Sequence, residues 1–307
     1  MFSVVIPLFN KEKSVSDTIR SVLVQTDPEF EVIIVNDGST DSSREKAALF
    51  SDSQIQIIDQ QNCGVSAARN AGIKAASNPY IAFMDGDDIW EPDYLQTQKE
   101  LIRDFPHAGM WGCGMGILRN DQKFGSSHGL TRGYRGLIKN YFTMEKRGML
   151  FHPSGTVIHK SVFNEVGLFD ERVDFGEDID MNLRVLLKYD PAFYNRNVSF
   201  YRVDAENNVK NKIKPIDRCF FYYMDKFSEE RAGSITFRKY YDRITLALMS
   251  HHLLYGMSKN EVSAILNEVD FSLQPFKWRL LYTFPKLYKW YGQILNLSSI
   301  INEGKIH

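Results

Sequence analysis

The chain has 307 residues, of which 37 are basic and 38 acidic, for a formal net charge of −1. That length holds one large domain or two modest ones, and 43% hydrophobic with 24% charged residues is ordinary for a globular protein with a real core. A balance this even excludes wholesale nucleic-acid binding, and three scattered cysteines, Cys63, Cys113 and Cys219, form neither a disulfide framework nor a zinc spacing.

Phe2 to Leu8 is β-branched and apolar, and reads as a strand. Val15, Ile19, Val22 and Leu23 then mark one face of a helix. Phe30 to Val35 is the second strand, and Asn36-Asp37-Gly38-Ser39-Thr40-Asp41 is a turn of capping residues leading into a helix. Ile55 to Ile58 is a short third strand, Val65 to Ala76 an alanine-rich helix, and Tyr80 to Met84 a strand enclosed on both faces. Pro92 and Asp93 open a further helix. Strand–helix alternation at this spacing implies an α/β fold with a mostly parallel sheet wound on both faces.

Gly109 to Gly148 is glycine-rich and irregular, and reads as strands plus a long surface excursion. Gly155 to His159 is another strand and Gly176 to Tyr189 a helix. Beyond about Asn208 the pattern turns helical. Phe237, Tyr241, Ile244, Leu248 and Tyr255 make one stripe, Gly256 ends it, and Ser258 with Glu261 gives a capping-box pattern for the next helix. The expected organisation is a catalytic body over 1–207 and a helical appendage over 208–307. Residues 1 to 8 carry no basic region ahead of a long apolar run, so no signal peptide is expected. No apolar stretch approaches the roughly 18–20 residues that span a bilayer, and a cytoplasmic location is the default expectation.

Asp85-Gly86-Asp87-Asp88 is the segment that points to chemistry. Gly86 frees the backbone to turn, so three carboxylates gather at a strand end, where an open α/β sheet keeps its ligand crevice. Like charges this close call for an offsetting cation or proton. A hard divalent ion, Mg²⁺ or Mn²⁺, suits carboxylates and usually shares them with substrate phosphates and water.

Three other segments accompany it: Val4-Val5-Ile6-Pro7-Leu8-Phe9-Asn10, the Val35–Asp41 turn, and Asn62-Cys63-Gly64-Val65-Ser66-Ala67-Ala68-Arg69-Asn70-Ala71-Gly72. With Phe83-Met84-Asp85-Gly86-Asp87-Asp88-Ile89-Trp90, and in this order, they resemble the donor-site signature of the family 2 glycosyltransferases over roughly residues 1 to 205. That family is inverting and has the GT-A fold, a Rossmann-like nucleotide-diphospho-sugar transferase domain. The resemblance implies a nucleotide-sugar donor, most simply a UDP-sugar, and a divalent metal cofactor.

On the same resemblance, Pro7, Phe9, Asn10, Asp37, Arg69, Asp85 and Gly86 are donor-side residues. A carboxylate at a strand end can accept the ring N–H of a uracil-type base, the role implied for Asp37; its neighbours equally favour a turn or helix cap. Phe9 would stack on that base, where many family members carry Tyr. Asn10 and Glu12 would order the first loop. Arg69 would hold the carboxylates or approach the diphosphate. Asp85 would meet ribose or sugar hydroxyls, and Asp87, with Asp88 beside it, the metal.

Phe175-Gly176-Glu177-Asp178-Ile179-Asp180-Met181-Asn182-Leu183-Arg184 resembles the family's Glu-Asp motif, which makes Asp178 the implied catalytic base. Helical geometry puts Asp178 about 100° to one side of the Ile179, Leu183 and Leu186 stripe, with Glu177 and Asp180 further round toward solvent. Glu177 also favours the helix dipole. Trp90, His152 and Glu177 are the acceptor-side candidates. The family often has a histidine after a Tyr-Arg pair; this chain reads Tyr201-Arg202-Val203-Asp204, which departs from a histidine metal ligand there and leaves Asp204 only as a substitute candidate.

The expected acceptor is a glycan or lipid-linked saccharide. The aromatic and basic run 276–291 suits either an anionic membrane surface, at the inner face of the plasma membrane, or packing on the catalytic body or in a homodimer. A hydrolase using paired carboxylates would leave Asp37 and the Asn62–Gly72 motif unexplained, and two further rival readings stand beside it. A sugar-nucleotide pyrophosphorylase would need a glycine-rich, Arg-containing loop after the first strand, and Phe9-Asn10-Lys11-Glu12 is no such loop. A catalytically inactive nucleotide- or glycan-binding module would have no use for both the acidic cluster and Asp178.

Overall fold

The alternation of the first hundred residues recurs in three dimensions in the computed structural model, which describes residues 1–126, 129–144, 150–206, 215–255 and 259–283. The chain divides into two compact units, Met1–Lys212 and Ile213–His307. The boundary expected at 207/208 lies outside the described residues.

The first unit runs β1 (Phe2–Leu8), α1 (Val15–Leu23), β2 (Phe30–Asp37), α2 (Ser43–Ala48), β3 (Ile55–Gln60), α3 (Val65–Ala75), β4 (Tyr80–Phe83), β5 (Ile89–Trp90) and α4 (Tyr94–Asp104). It continues through β6 (Met110–Arg119), β7 (Gln122–Phe124), β8 (Arg135–Leu137), β9 (Thr156–His159), α5 (Val162–Val166), α6 (Glu177–Leu186) and β10 (Ala192–Arg202). The strands form one sheet in the order β3-β2-β1-β4-β9-β6-β10-β5, with β7 on β6 and β8 on β10. β3, β2, β1 and β4 are parallel; β9 runs antiparallel between β4 and β6, so β6 and β10 again point the same way as β1.

The sequence explains this half of the molecule. Val4, Val5 and Ile6 on β1 and Val32, Ile33 and Ile34 on β2 are fully buried, as strands covered on both faces require. Val15, Ile19 and Val22 bring α1 into the same core. Helix α3 packs on β1 and β2, and Gly72 sets how closely: a Cβ there would stand 2.3 Å from Val5 Cγ1. Two elements escape the periodicity. Helix α5 is only five residues long. Strand β10 carries register shifts between Tyr194, Asn197 and Ser199, so its apolar alternation is broken by bulges.

Chain order reverses across β1, which has β2 on one side and β4 on the other. In open α/β sheets such a switch point, at the carboxyl ends of the strands, is where ligands bind. The segments after Leu8, Asp37 and Phe83 all lie at that end.

The second unit is helical: α7 (Ser228–Gly233), α8 (Ile235–Tyr255), α9 (Lys259–Glu268) and α10 (Phe276–Thr283). Phe220, Phe227, Phe237 and Tyr241 form its aromatic centre. Phe237, Tyr241 and Ile244 of the expected stripe are buried; Leu248 is only half-buried, with Leu246 and Met249 taking the inner positions. Gly256, Ser258 and the side chains of Tyr255 and Glu261 lie outside the described residues, as does 284–291 of the aromatic and basic run. Within α10, Tyr282 is buried and its hydroxyl donates to the Leu246 carbonyl, while Phe276 is 75% exposed. No helix among the described residues is long and apolar enough to cross a membrane.

Candidate active site

The loop after β1 is tied to the loop after β2. Asn10 takes a left-handed backbone (φ 53°), and its Oδ1 accepts from the Thr40 N–H at 2.8 Å. Glu12 Oε2 accepts from the Ser42 N–H, and the Glu12 N–H donates to Asp41 Oδ2. Asn10 and Glu12 therefore order this rim of the crevice. Phe9 beside them is half-buried. Pro7 lies beyond the last β1–β4 pair, Val5 with Phe83, so its missing N–H interrupts no ladder on that side.

Asp37, at the end of β2, is buried and already engaged. Its Oδ1 accepts from Gln60 Nε2 at 2.7 Å and the Cys63 N–H at 2.9 Å, and its Oδ2 from the Gly64 N–H at 2.9 Å. The carboxylate thus builds the entry to α3. An ionised carboxylate has about four acceptor positions, which leaves room for one further donor.

The acidic turn is assembled from distant pieces. Gly86 does not take a left-handed backbone. It is needed for closeness, because a Cβ there would lie 3.2 Å from the Pro7 carbonyl oxygen. Asp85, 32% exposed, faces the crevice and pairs with Arg69 Nη2 at 2.8 Å. Asp87 pairs with Lys11 Nζ at 2.5 Å; burial pushes its carboxyl up, while Lys11 pulls it down.

Two sequence expectations are corrected at this turn. Asp88, expected beside Asp87 at the metal, points into the fold. Its Oδ2 accepts from the Ser154 hydroxyl at 2.6 Å and its Oδ1 from the Arg202 N–H at 3.1 Å. Burial first, then the charges of Asp87 and Asp85, push its pKa well up. Trp90, expected to wall the acceptor, is a core residue 2% exposed. Its ring stacks on Tyr94 at 3.9 Å and its Nε1 donates to the Ser154 carbonyl at 2.6 Å. Ser154, whose hydroxyl also accepts from the Asp85 N–H, pins the whole turn. It follows Pro153 in the segment of His152, and only its contacts 66 to 69 residues away reveal its part. His152 itself is half-buried, and its carbonyl accepts from the Gly155 N–H.

Arg69 joins the acidic turn to the second acidic motif. The guanidinium is 2% exposed; Nη2 holds Asp85 and Nη1 holds Glu177 Oε1, both at 2.8 Å. Burial would lower its pKa, but Asp85 and Glu177 outweigh that and raise it. Glu177, expected toward solvent and the acceptor, is therefore turned inward to Arg69. Asp180 is also corrected: it is 1% exposed and bridged to Arg184 at 2.7 Å. Helical angle alone missed both because each acid has an arginine that draws it in. Asp178, between them, is half-buried, and its Oδ1 accepts from the Ile179 N–H at 2.9 Å. Burial, then repulsion from Glu177, pushes its pKa up to about 7 against the opposing pull of Arg69.

Whether a divalent ion suits this site follows from the oxygens left over. Among the described residues, no three His, Cys, Asp or Glu side chains converge as a ready metal cage. Asp204 is used otherwise, its Oδ2 accepting from the Asn120 N–H. Asp85 Oδ2 and Asp87 Oδ1, however, accept no hydrogen bond from any described residue. Two carboxylate oxygens fit a hard ion that takes its other ligands from phosphate and water.

A mostly parallel sheet with its acidic turn at the switch point, faced by a second carboxylate motif, defines a GT-A fold. The sequence profile of glycosyl transferase family 2 matches residues 3–167, more than half of the chain, and the chain belongs to that family. EpsJ of Bacillus subtilis, an uncharacterised glycosyltransferase, is 32% identical over 224 residues, which cover 70% of this chain and 64% of EpsJ. WfgD of Escherichia coli is 35% identical over 144 residues, covering 46% of this chain and 56% of WfgD. It is named a UDP-Glc:alpha-D-GlcNAc-diphosphoundecaprenol beta-1,3-glucosyltransferase. The chain thus spans less than two thirds of either relative. Among solved structures, Staphylococcus aureus TarS 1-349 in complex with UDP-GlcNAc superposes with a TM-score of 0.69 at 18% identity, over 94% of this chain and 87% of that one.

Proposed function

We propose that this protein transfers a sugar from a UDP-sugar to a hydroxyl of a glycan or lipid-linked acceptor, with inversion, and that Asp178 is the general base. The observation that carries this is the Arg69 bridge. One buried guanidinium holds Asp85 of the donor turn and Glu177, the neighbour of Asp178. Donor-binding and proton-accepting groups are thereby kept in one rigid constellation. Family membership and the activity for which WfgD is named support the donor class and a lipid-linked acceptor.

In this reading the acceptor oxygen attacks the anomeric carbon from the face opposite the diphosphate. The bond from that carbon to the diphosphate oxygen breaks, and the acceptor proton passes to Asp178. A carboxylate with a pKa near 7 is suited to the task, since general bases work best when poised near the operating pH. Asp85 and Asp87 would hold the divalent ion, which when bound offsets charge on the leaving diphosphate. Asp37 would take a donor N–H of the base at its remaining acceptor position.

A screen of nucleotide-sugars for released nucleoside diphosphate, with and without Mn²⁺, tests the reading. Turnover of no donor with any saccharide acceptor would overturn it in favour of a binding module. Asp87→Ala should abolish metal-supported UDP binding in calorimetry; unchanged affinity would remove Asp87 from the ion. We further propose that α10 rests on an anionic membrane surface, supported by exposed Phe276, Lys277 and Arg279. The double change Phe276→Ser, Lys277→Glu should then reduce sedimentation with anionic liposomes.

A further inference from the structure

The transfer chemistry above makes no use of Lys11, yet its side chain is held at two points. Its ammonium lies 2.5 Å from Asp87 Oδ2 and 2.9 Å from the Glu206 carbonyl oxygen, and the side chain is 14% exposed. Its backbone N–H donates to Ser43 Oγ at 2.7 Å. Glu206 is itself anchored at the start of α1, where its Oε1 accepts from the Lys13 and Ser14 N–H groups and the Ser14 hydroxyl at 2.8, 3.1 and 3.0 Å. The ammonium therefore sits in a prepared seat against Asp87, the carboxylate best placed to hold a divalent ion.

A carboxylate in a shielded site is stabilised by one partner of opposite charge, and that partner is already there. An ion arriving alone must either displace the ammonium from two hydrogen bonds or bind within a few ångströms of a like charge. Both are costly where water screens poorly. A diphosphate removes the obstacle, because it supplies oxygen ligands to the ion and negative charge to offset the ammonium.

We propose that Lys11 is the built-in cation of the donor site: it occupies Asp87 in the empty protein and keeps a divalent ion out until a diphosphate enters with it. The inference rests on the donor-site reading of the acidic turn. Its test is read as metal binding without donor turnover, so it can fail while transfer persists, and the converse.

The experiment is titration of the full chain with Mn²⁺ alone, free ion being followed by electron paramagnetic resonance. Lys11→Met keeps the stem and removes the charge; it should bind Mn²⁺ about 10-fold or more tightly than the wild-type chain. Lys11→Arg keeps the charge and should remain as weak as wild type. Lys13→Met removes an exposed charge two residues away and should also match wild type. Addition of UDP should narrow the gap between Lys11→Met and wild type. Melting curves without metal check the fold, and Lys11→Gln carries the same expectation should the Met variant not fold. Unchanged or weaker Mn²⁺ binding in the charge-removed variant overturns the proposal. So does an equal gain in Lys13→Met, which would make the effect one of net charge.

Discussion

Asp178→Asn is expected to lower turnover by about 10²-fold or more while leaving nucleotide affinity close to wild type. The change preserves size and the hydrogen bond to the Ile179 N–H, and removes only the proton-accepting charge. The wild-type rate should fall as pH drops through about 7, where Asp178 protonates, and the residual rate of the variant should lose that limb. Stability supplies a second readout of opposite sense. The folded pKa lies above the ordinary 3.8, so the native state holds the proton more tightly, an advantage complete below that ordinary value and lost as pH rises through 7. The Asn variant should therefore melt higher than wild type at pH 8, with the gap closing toward pH 4. Glu177→Gln should be milder in turnover and should shift the limb to lower pH, since Glu177 is the main charge raising Asp178. If Glu177→Gln is the crippling change and Asp178→Asn is not, the base has been assigned to the wrong neighbour.

Arg69→Met should be the most damaging substitution at the site for stability and activity together. It removes a buried guanidinium from between two carboxylates, leaving Asp85 and Glu177 facing each other without a counter-charge. Breaking a buried pair in this way costs about 3–5 kcal/mol, with Asp85, the more exposed partner, at the lower end. In a unit of this size that is on the order of 10 °C in melting temperature. Nucleotide affinity and turnover should both fall, because Asp85 and the start of α6 lose a common anchor. Arg69→Lys should recover part of the stability and little of the turnover, since one ammonium cannot span both carboxylates as the fork does. A variant that melts and binds UDP like wild type would show that the bridge holds nothing in place.

What was legible in the sequence was everything with a local cause. The unbroken apolar runs in Phe2–Leu8 and Phe30–Asp37, the 3.6 period of Val15–Leu23 and the turn chemistry of Asn36–Asp41 set the parallel half of the sheet. They also place Asp37 and the Asp85–Asp88 turn at strand ends. Bulged β10 was not legible, because an extra residue breaks the alternation that reveals a strand.

Which carboxylate does what was decided only by the tertiary structure. Asp87 and Asp88 are adjacent in sequence, yet one meets Lys11, 76 residues back, and the other Ser154, 66 residues on. Glu177 and Asp180 look alike on a helical wheel until Arg69, 108 residues from Glu177, claims the first and Arg184 the second. Trp90 sits in a motif that reads as a crevice wall, but Tyr94 and the Ser154 carbonyl take it into the core. The physical reason is the same each time. Backbone conformation follows from sterics and hydrogen bonding among near neighbours. The direction a charged or aromatic side chain takes follows from burial and from partners that only folding brings within a few ångströms.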